Sequence, residues 1–179
     1  MNNTTTVTEN KAAVYVGTYG KYNSGSLEGA WLTLSDYADK AEFIAACTLL
    51  HDDEDAELMF QDYENIPECF IGESWISESY WTYLDLTADM SEDELEALTV
   101  FIANGSHNVS EDTEGALETF KEAYQGQYDS MLAFAEQSIE DGMLGEIPAH
   151  LAQYIDADRY ARDLENDFWY SGGHVFRNI

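Results

Sequence analysis

Apolar and polar positions alternate through the first third of the chain as strands require. From Ala13 the run VYVGTYG is β-branched and aromatic, YNSGSLEG supplies turn chemistry and AWLTL resumes the alternation, which predicts a hairpin with a long loop. Ser35 and Asp36 offer caps ahead of Phe43, Ile44, Cys47 and Leu50 at helical spacing, so a helix is expected over 37–50. A strand over 57–63 then completes a three-stranded antiparallel sheet beneath that helix. Beyond Gly72 the texture turns helical. Ser74 precedes Trp75, Ile76, Tyr80, Trp81 and Leu84, while Ser91 with Glu94 reads as a capping box before Leu95, Leu98 and Ile102, with a stop at Asn104-Gly105. Helices follow at 112–124, with Leu117, Phe120 and Tyr124 on one face, and at 130–141, with Leu132, Ala135 and Ile139 inward. Pro148 opens a short third helix, Asp156 caps a fourth reaching 166, and FWY-SGG-HVF closes as a hairpin.

The pattern therefore predicts an α+β fold in three small units. These are an N-terminal sheet-plus-helix domain at 11–71, a central helical domain at 72–108 and a C-terminal mixed helix-plus-hairpin domain at 109–179, after a loose polar tail at 1–10.

Charge changes this picture. Between Ala41 and Phe120 stand 21 Asp and Glu and not one Lys or Arg, although opposite charges on a wet helix face attract and like charges repel. Over 179 residues, 36 acids against 7 bases give a net charge of -29, which disfavours direct binding to nucleic acid or an anionic membrane. An acidic tail would load one end, but the stretches 1–71, 72–108 and 109–179 carry -10, -8 and -11. With 45% hydrophobic and 13% aromatic residues this is a folded body, so its field points to a positively charged partner. A salt-adapted enzyme, or charge kept for solubility, explains the same composition.

Candidate chemistry is thin. Carboxylate pairs are too abundant to single out a catalytic dyad, and no nucleophile, phosphate-loop or dinucleotide motif occurs. Asp53, Asp55, Glu57 and Glu64 fall at calcium-loop spacing, but Leu58 replaces the turn glycine and the flanks read as strand. His51, His107, His150 and His174 lack metal-ligand spacing, so no catalytic residue, metal or cofactor is expected. Cys47 and Cys69 are expected reduced and buried, and the absence of a leader pattern or an 18-residue apolar run suggests a cytoplasmic protein.

What remains is the carboxylate field. Duplex DNA carries one charge per about 1.7 Å of axis, so 29 charges at that density span about 49 Å, or roughly 14 base pairs. A globule of this length has a diameter near ~40 Å. The charges fit a rod better, which favours an elongated row of domains. Dimerisation would double the imitated length. Two other classes of reading remain beside this one: an acidic binder or chaperone of another basic or DNA-binding protein, and an acid-rich hydrolase.

Four stretches carry a resemblance. VYVGTYGKYNSGSLEGAWLTL, FQDYENIP, AFAEQSIEDG and IPAHLAQYIDADRYARDL are similar to ArdA-type antirestriction proteins of conjugative plasmids and transposons, the last being the most specific. The resemblance implies a curved DNA mimic of three domains in a row, paired through the C-terminal domain. Such a protein occupies the DNA-binding groove of Type I restriction-modification enzymes. On this sequence the phosphate-mimicking carboxylates would be drawn from Asp52, Asp53, Glu54, Asp55, Asp62, Glu64, Asp85, Asp89, Glu92, Asp93, Glu96, Glu111, Asp112, Glu114, Glu118, Glu136, Glu140 and Asp141. Tyr160, Leu164, Phe168, Trp169 and Tyr170 are candidates for the dimer surface, or alternatively for a closed local core.

Overall fold

A computed structural model describes residues 11–51, 56–105 and 108–179. The fold is α+β, with eight α-helices and three small antiparallel sheets among those residues. Contacts divide the chain into two compact units, 1–88 and 89–179, so the segment read as a central domain contributes a helix to each.

The first unit holds β1 (Ala13–Thr18), α1 (Tyr19–Asn23), β2 (Ala30–Thr33), α2 (Lys40–Leu49), β3 (Leu58–Glu64), β4 (Ile71–Gly72), β5 (Trp75–Ile76) and α3 (Ser79–Thr87). Its sheet runs β2-β1-β3, antiparallel throughout, as the alternating pattern predicts. Val14 and Val16 on β1 are fully buried and separated by Tyr15, the period of two that a one-sided sheet demands. At the Tyr15/Val16 step the pairing to β3 slips by one residue, a bulge that leaves Gln61 without a partner in the ladder. Phe43 and Cys47, one turn apart on α2, are fully buried, and the Phe43 ring meets Phe60 at 5.9 Å and Trp81 at 6.0 Å.

Several expectations are corrected here. α2 starts from Asp39, not from Ser35 or Asp36, because Leu34–Asp36 form a 3-10 turn and the Asp39 side chain accepts from Glu42 N–H at 2.8 Å. Ser74 caps no helix. Ile71 pairs with Ile76 and Gly72 with Trp75 as a minimal hairpin, and α3 begins only at Ser79. The long loop after β1 contains α1, whose first turn is capped by Thr18. Cys69 is half-buried, whereas Cys47 is buried, and both are free thiols.

The second unit holds α4 (Glu92–Ala103), α5 (Thr113–Ala123), β6 (Tyr124–Gln127), α6 (Met131–Glu140), α7 (Ala149–Ala152), α8 (Ala157–Leu164), β7 (Phe168–Ser171) and β8 (His174–Arg177). The closing hairpin is present as β7-β8, with Gly172 and Gly173 at positive φ in the turn. Its sheet order is β6-β8-β7; the sequence pattern did not predict β6. Tyr124 continues the helical spacing from Phe120, yet it pairs with Phe176 as a strand residue. The buried stripe of α4 is Ala97, Leu98 and Phe101, rotated from the expected Leu95, Leu98 and Ile102. Phe101, Phe120 and Phe176 meet in one aromatic cluster, and a second core gathers Phe134, Ala135, Ala161, Leu164, Phe168 and Val175.

The capping box at α4 is complete. Ser91 Oγ accepts from Glu94 N–H at 3.3 Å, and Glu94 Oε2 accepts from Ser91 N–H at 2.9 Å and from Ser91 Oγ at 2.8 Å. These bonds, with Lys121 nearby, hold the Glu94 carboxyl below the usual carboxylate range. Its contribution to stability is therefore present above the ordinary carboxylate pKa and lost as pH falls through the folded value. Ser91→Ala is expected to lower stability by about 1 kcal/mol. A urea melt followed by circular dichroism checks this, and an unchanged midpoint would deny the cap its role.

Candidate carboxylate surface

Every Asp and Glu among the described residues is exposed. A carboxylate is costly to bury without a cation beside it, and with so few bases available the fold turns these acids outward. Both units share the charge, at -13 for 1–88 and -16 for 89–179. An ion pair does join Lys21 to Glu28 at 3.4 Å, but the acids outnumber the bases too far for pairing to be general.

Backbone partly replaces the absent bases. Asp39, Asp112 and Asp156 cap α2, α5 and α8, accepting N–H bonds from Glu42 at 2.8 Å, Gly115 at 3.0 Å and Arg159 at 2.9 Å. Glu92, Asp93 and Glu94 fill the first turn of α4, where the positive end of the helix dipole favours anions.

Asp62 and Glu64 lie two residues apart on β3, hence on one face of the strand, and Asp85 is exposed on α3. Asp89 precedes α4, which carries Glu92, Asp93 and Glu96; Glu111 and Asp112 lead into α5, which carries Glu114 and Glu118. Glu136 and Glu140 stand one turn apart on α6, and Asp141 is its C-cap. Asp52, Asp53, Glu54 and Asp55 lie outside the described residues, as do His107 and the polar segment 1–10. The structure brings Asp112 and Glu118 together with Glu122 along a groove of about 310 Å³ that also meets Asn108 and Thr119. Glu122 escaped the sequence reading, although Glu114, Glu118 and Glu122 repeat every four residues and so share a helix face.

That spacing is costly. Glu92/Glu96, Glu114/Glu118, Glu118/Glu122 and Glu136/Glu140 are like-charged pairs one turn apart, each destabilising by roughly 0.2–0.5 kcal/mol. The field reaches inward as well: burial raises the Tyr124 phenol above its ordinary value, and Asp93, Glu94 and Glu96 push it the same way. Raising salt from 10 to 500 mM should therefore raise the melting temperature by ~2–4 °C, since it screens repulsion within the fold. Scanning calorimetry across that series checks it, and a melting temperature that falls with salt would refute the repulsion.

Other groups look structural. Among the described residues no three His, Cys, Asp or Glu side chains are placed to hold a metal ion. His174 is fully buried with Nδ1 3.2 Å from the Tyr124 hydroxyl, and His51 is buried with Nδ1 3.2 Å from Lys21 Nζ. Burial pushes the Cys47 thiol up to about 12 and raises Cys69 too, which makes both poor nucleophiles.

Of the pairing candidates, Leu164 and Phe168 serve the local core, and Tyr160 packs against it. Trp169 stacks on Phe176 at 4.1 Å, and Tyr170 is exposed while its hydroxyl donates to the Asp129 carbonyl at 2.9 Å. Met143, Leu144, Leu151, Tyr154 and Ile155 are further exposed apolar residues.

A family model described as Antirestriction protein (ArdA) matches residues 14–176. The chain belongs to the ArdA family. The match runs from the second residue of β1 to the penultimate residue of β8, so it covers most of both units of this ArdA protein. Membership makes it an antirestriction protein, from a family of inhibitors that interact with restriction-modification enzymes rather than of enzymes. No curated protein matches the sequence. No helix among the described residues is long and apolar enough to cross a membrane.

Proposed function

We propose that this ArdA protein occupies the DNA-binding groove of Type I restriction-modification enzymes, its carboxylates standing where a duplex presents phosphates. The observation that carries this reading is the outward placement of every described acid, seven of them kept at helix spacings that cost stability. A surface selected for stability alone would intersperse Lys and Arg, as ordinary surfaces do. In the groove of a DNA-binding enzyme those bases are already present on the other partner. Carboxylates held by a folded scaffold meet them with little ordering to do, and the field steers the encounter over long range.

Binding on this basis needs no turnover and reads no DNA sequence, since phosphate contacts carry none. Incoming unmodified DNA is protected because the site that would engage it is filled. At duplex charge density the net charge requires about 49 Å, so the proposal includes an extended particle. It also includes pairing of two copies through the exposed apolar residues between Met143 and Ile155, which would extend the imitation to about 28 base pairs.

The test is a titration of cleavage at a fixed enzyme concentration. Inhibition is expected to reach its end point at a constant ratio of ArdA protein to enzyme. Inhibition that continues to grow with time at substoichiometric amounts would show a catalytic inactivator instead.

A further inference from the structure

The groove along α5 continues into a surface of opposite character. Thr119 lines both the carboxylate groove and a second groove of about 730 Å³, built from the ends of α4 and α5 and the β7-β8 hairpin. Val100, Phe101, Ala103 and Trp169 give this second groove an apolar wall, Asn104, Ser171 and Asn178 add neutral polar groups, and no Asp or Glu lines it. Its charged member is Arg177, whose guanidinium lies 5.8 Å from the Phe168 ring. In a chain with 36 acids, a groove walled in part by Phe101 and Trp169 and by no acidic side chain, beside a carboxylate row, is a departure that phosphate imitation does not call for.

We propose that this groove receives an apolar side chain of the same basic partner whose Lys and Arg residues meet the α5 carboxylates. The inference rests on the reading above and adds to it a contact that DNA does not make. Charge selects this occupant: a basic segment is drawn to Asp112, Glu118 and Glu122, while the adjoining groove offers no acidic side chain to hold a further cation and is left to an uncharged side chain. A second copy of this chain would set its own carboxylates against that row, and the pairing proposed above uses other residues, between Met143 and Ile155. Steering by exposed charges sets mainly the rate of encounter, whereas aromatic-lined pockets filled by a partner set its lifetime.

Ala103 is exposed at the end of α4, so Ala103→Trp obstructs the groove without touching the core; Ser171→Trp obstructs it from β7. With a purified Type I enzyme as the probe, each variant is expected to bind roughly tenfold more weakly at every salt concentration, with the slope of log Kd against log salt unchanged. Wild-type affinity in both correctly folded variants would overturn this proposal and leave the proposed function standing. A changed oligomeric state in light scattering, without loss of enzyme binding, would also overturn it and assign the groove to a second copy. Failure of the unaltered chain to bind the enzyme would be a failure of the proposed function itself.

Discussion

Exchanging Glu96, Glu118, Glu122, Glu136, Glu140 and Asp141 together for their amides is expected to weaken inhibition about a hundredfold and, at the same time, to stabilise the protein. The two effects share one origin. Each exposed carboxylate facing a base on the enzyme contributes about 0.5 kcal/mol, so six contribute about 3 kcal/mol, or roughly two orders of magnitude in affinity. Within the free protein Glu118 repels Glu122 and Glu136 repels Glu140, while Glu122, Glu140 and Asp141 stand at helix C-termini where the dipole disfavours anions, so removing the six relieves on the order of 1 kcal/mol. Any single exchange falls within the scatter of surface substitutions. Thermal melts and cleavage assays on the six-fold variant, set beside the six single variants, check both signs. Abolition of inhibition by one isolated exchange would indicate a site of a different kind.

Phe176→Ala should act through the fold instead. Phe176 is fully buried on the central strand of its sheet, with Trp169 stacked at 4.1 Å, Tyr124 at 5.5 Å and Phe101 at 5.8 Å. Truncation removes the ring that joins α4, β6 and β7, leaves a cavity no neighbour fills without moving, and is expected to cost about 3–5 kcal/mol. That is a large share of the ~5–15 kcal/mol available to a typical domain. Inhibition should fall with the folded fraction and return as temperature is lowered, unlike the six-fold surface variant. A loss below ~1 kcal/mol by urea denaturation would mean that this cluster is not the centre of the second unit.

The contrast between these variants follows what sequence can encode locally. The Ser91-Glu94 box, the Asp156 cap, the Asn104-Gly105 stop and the closing hairpin were legible because each rests on chemistry within a few residues. The β4-β5 pair was not: Trp75 and Ile76 look like the first turn of α3, and only their pairing across Glu73 and Ser74 makes them strand. β6 was hidden for a related reason, since a partner fifty residues away fixes Tyr124 as strand against local spacing that continues α5. That every described acid faces solvent was legible from desolvation cost alone. Which acids share a groove, and that an aromatic groove adjoins them, depends on how α4, α5 and β7-β8 pack, and periodicity does not reveal it.

Imitation of a duplex is tested most directly by asking whether the enzyme can hold both ligands. A fluorescently labelled duplex bound to a purified Type I restriction-modification enzyme is titrated with the ArdA protein, and anisotropy and native mass are followed together at several salt concentrations. The account predicts that the duplex is released in proportion to ArdA bound, whatever its sequence, and that both ligands bind more weakly as salt rises. A stable complex of enzyme, duplex and ArdA protein would contradict it.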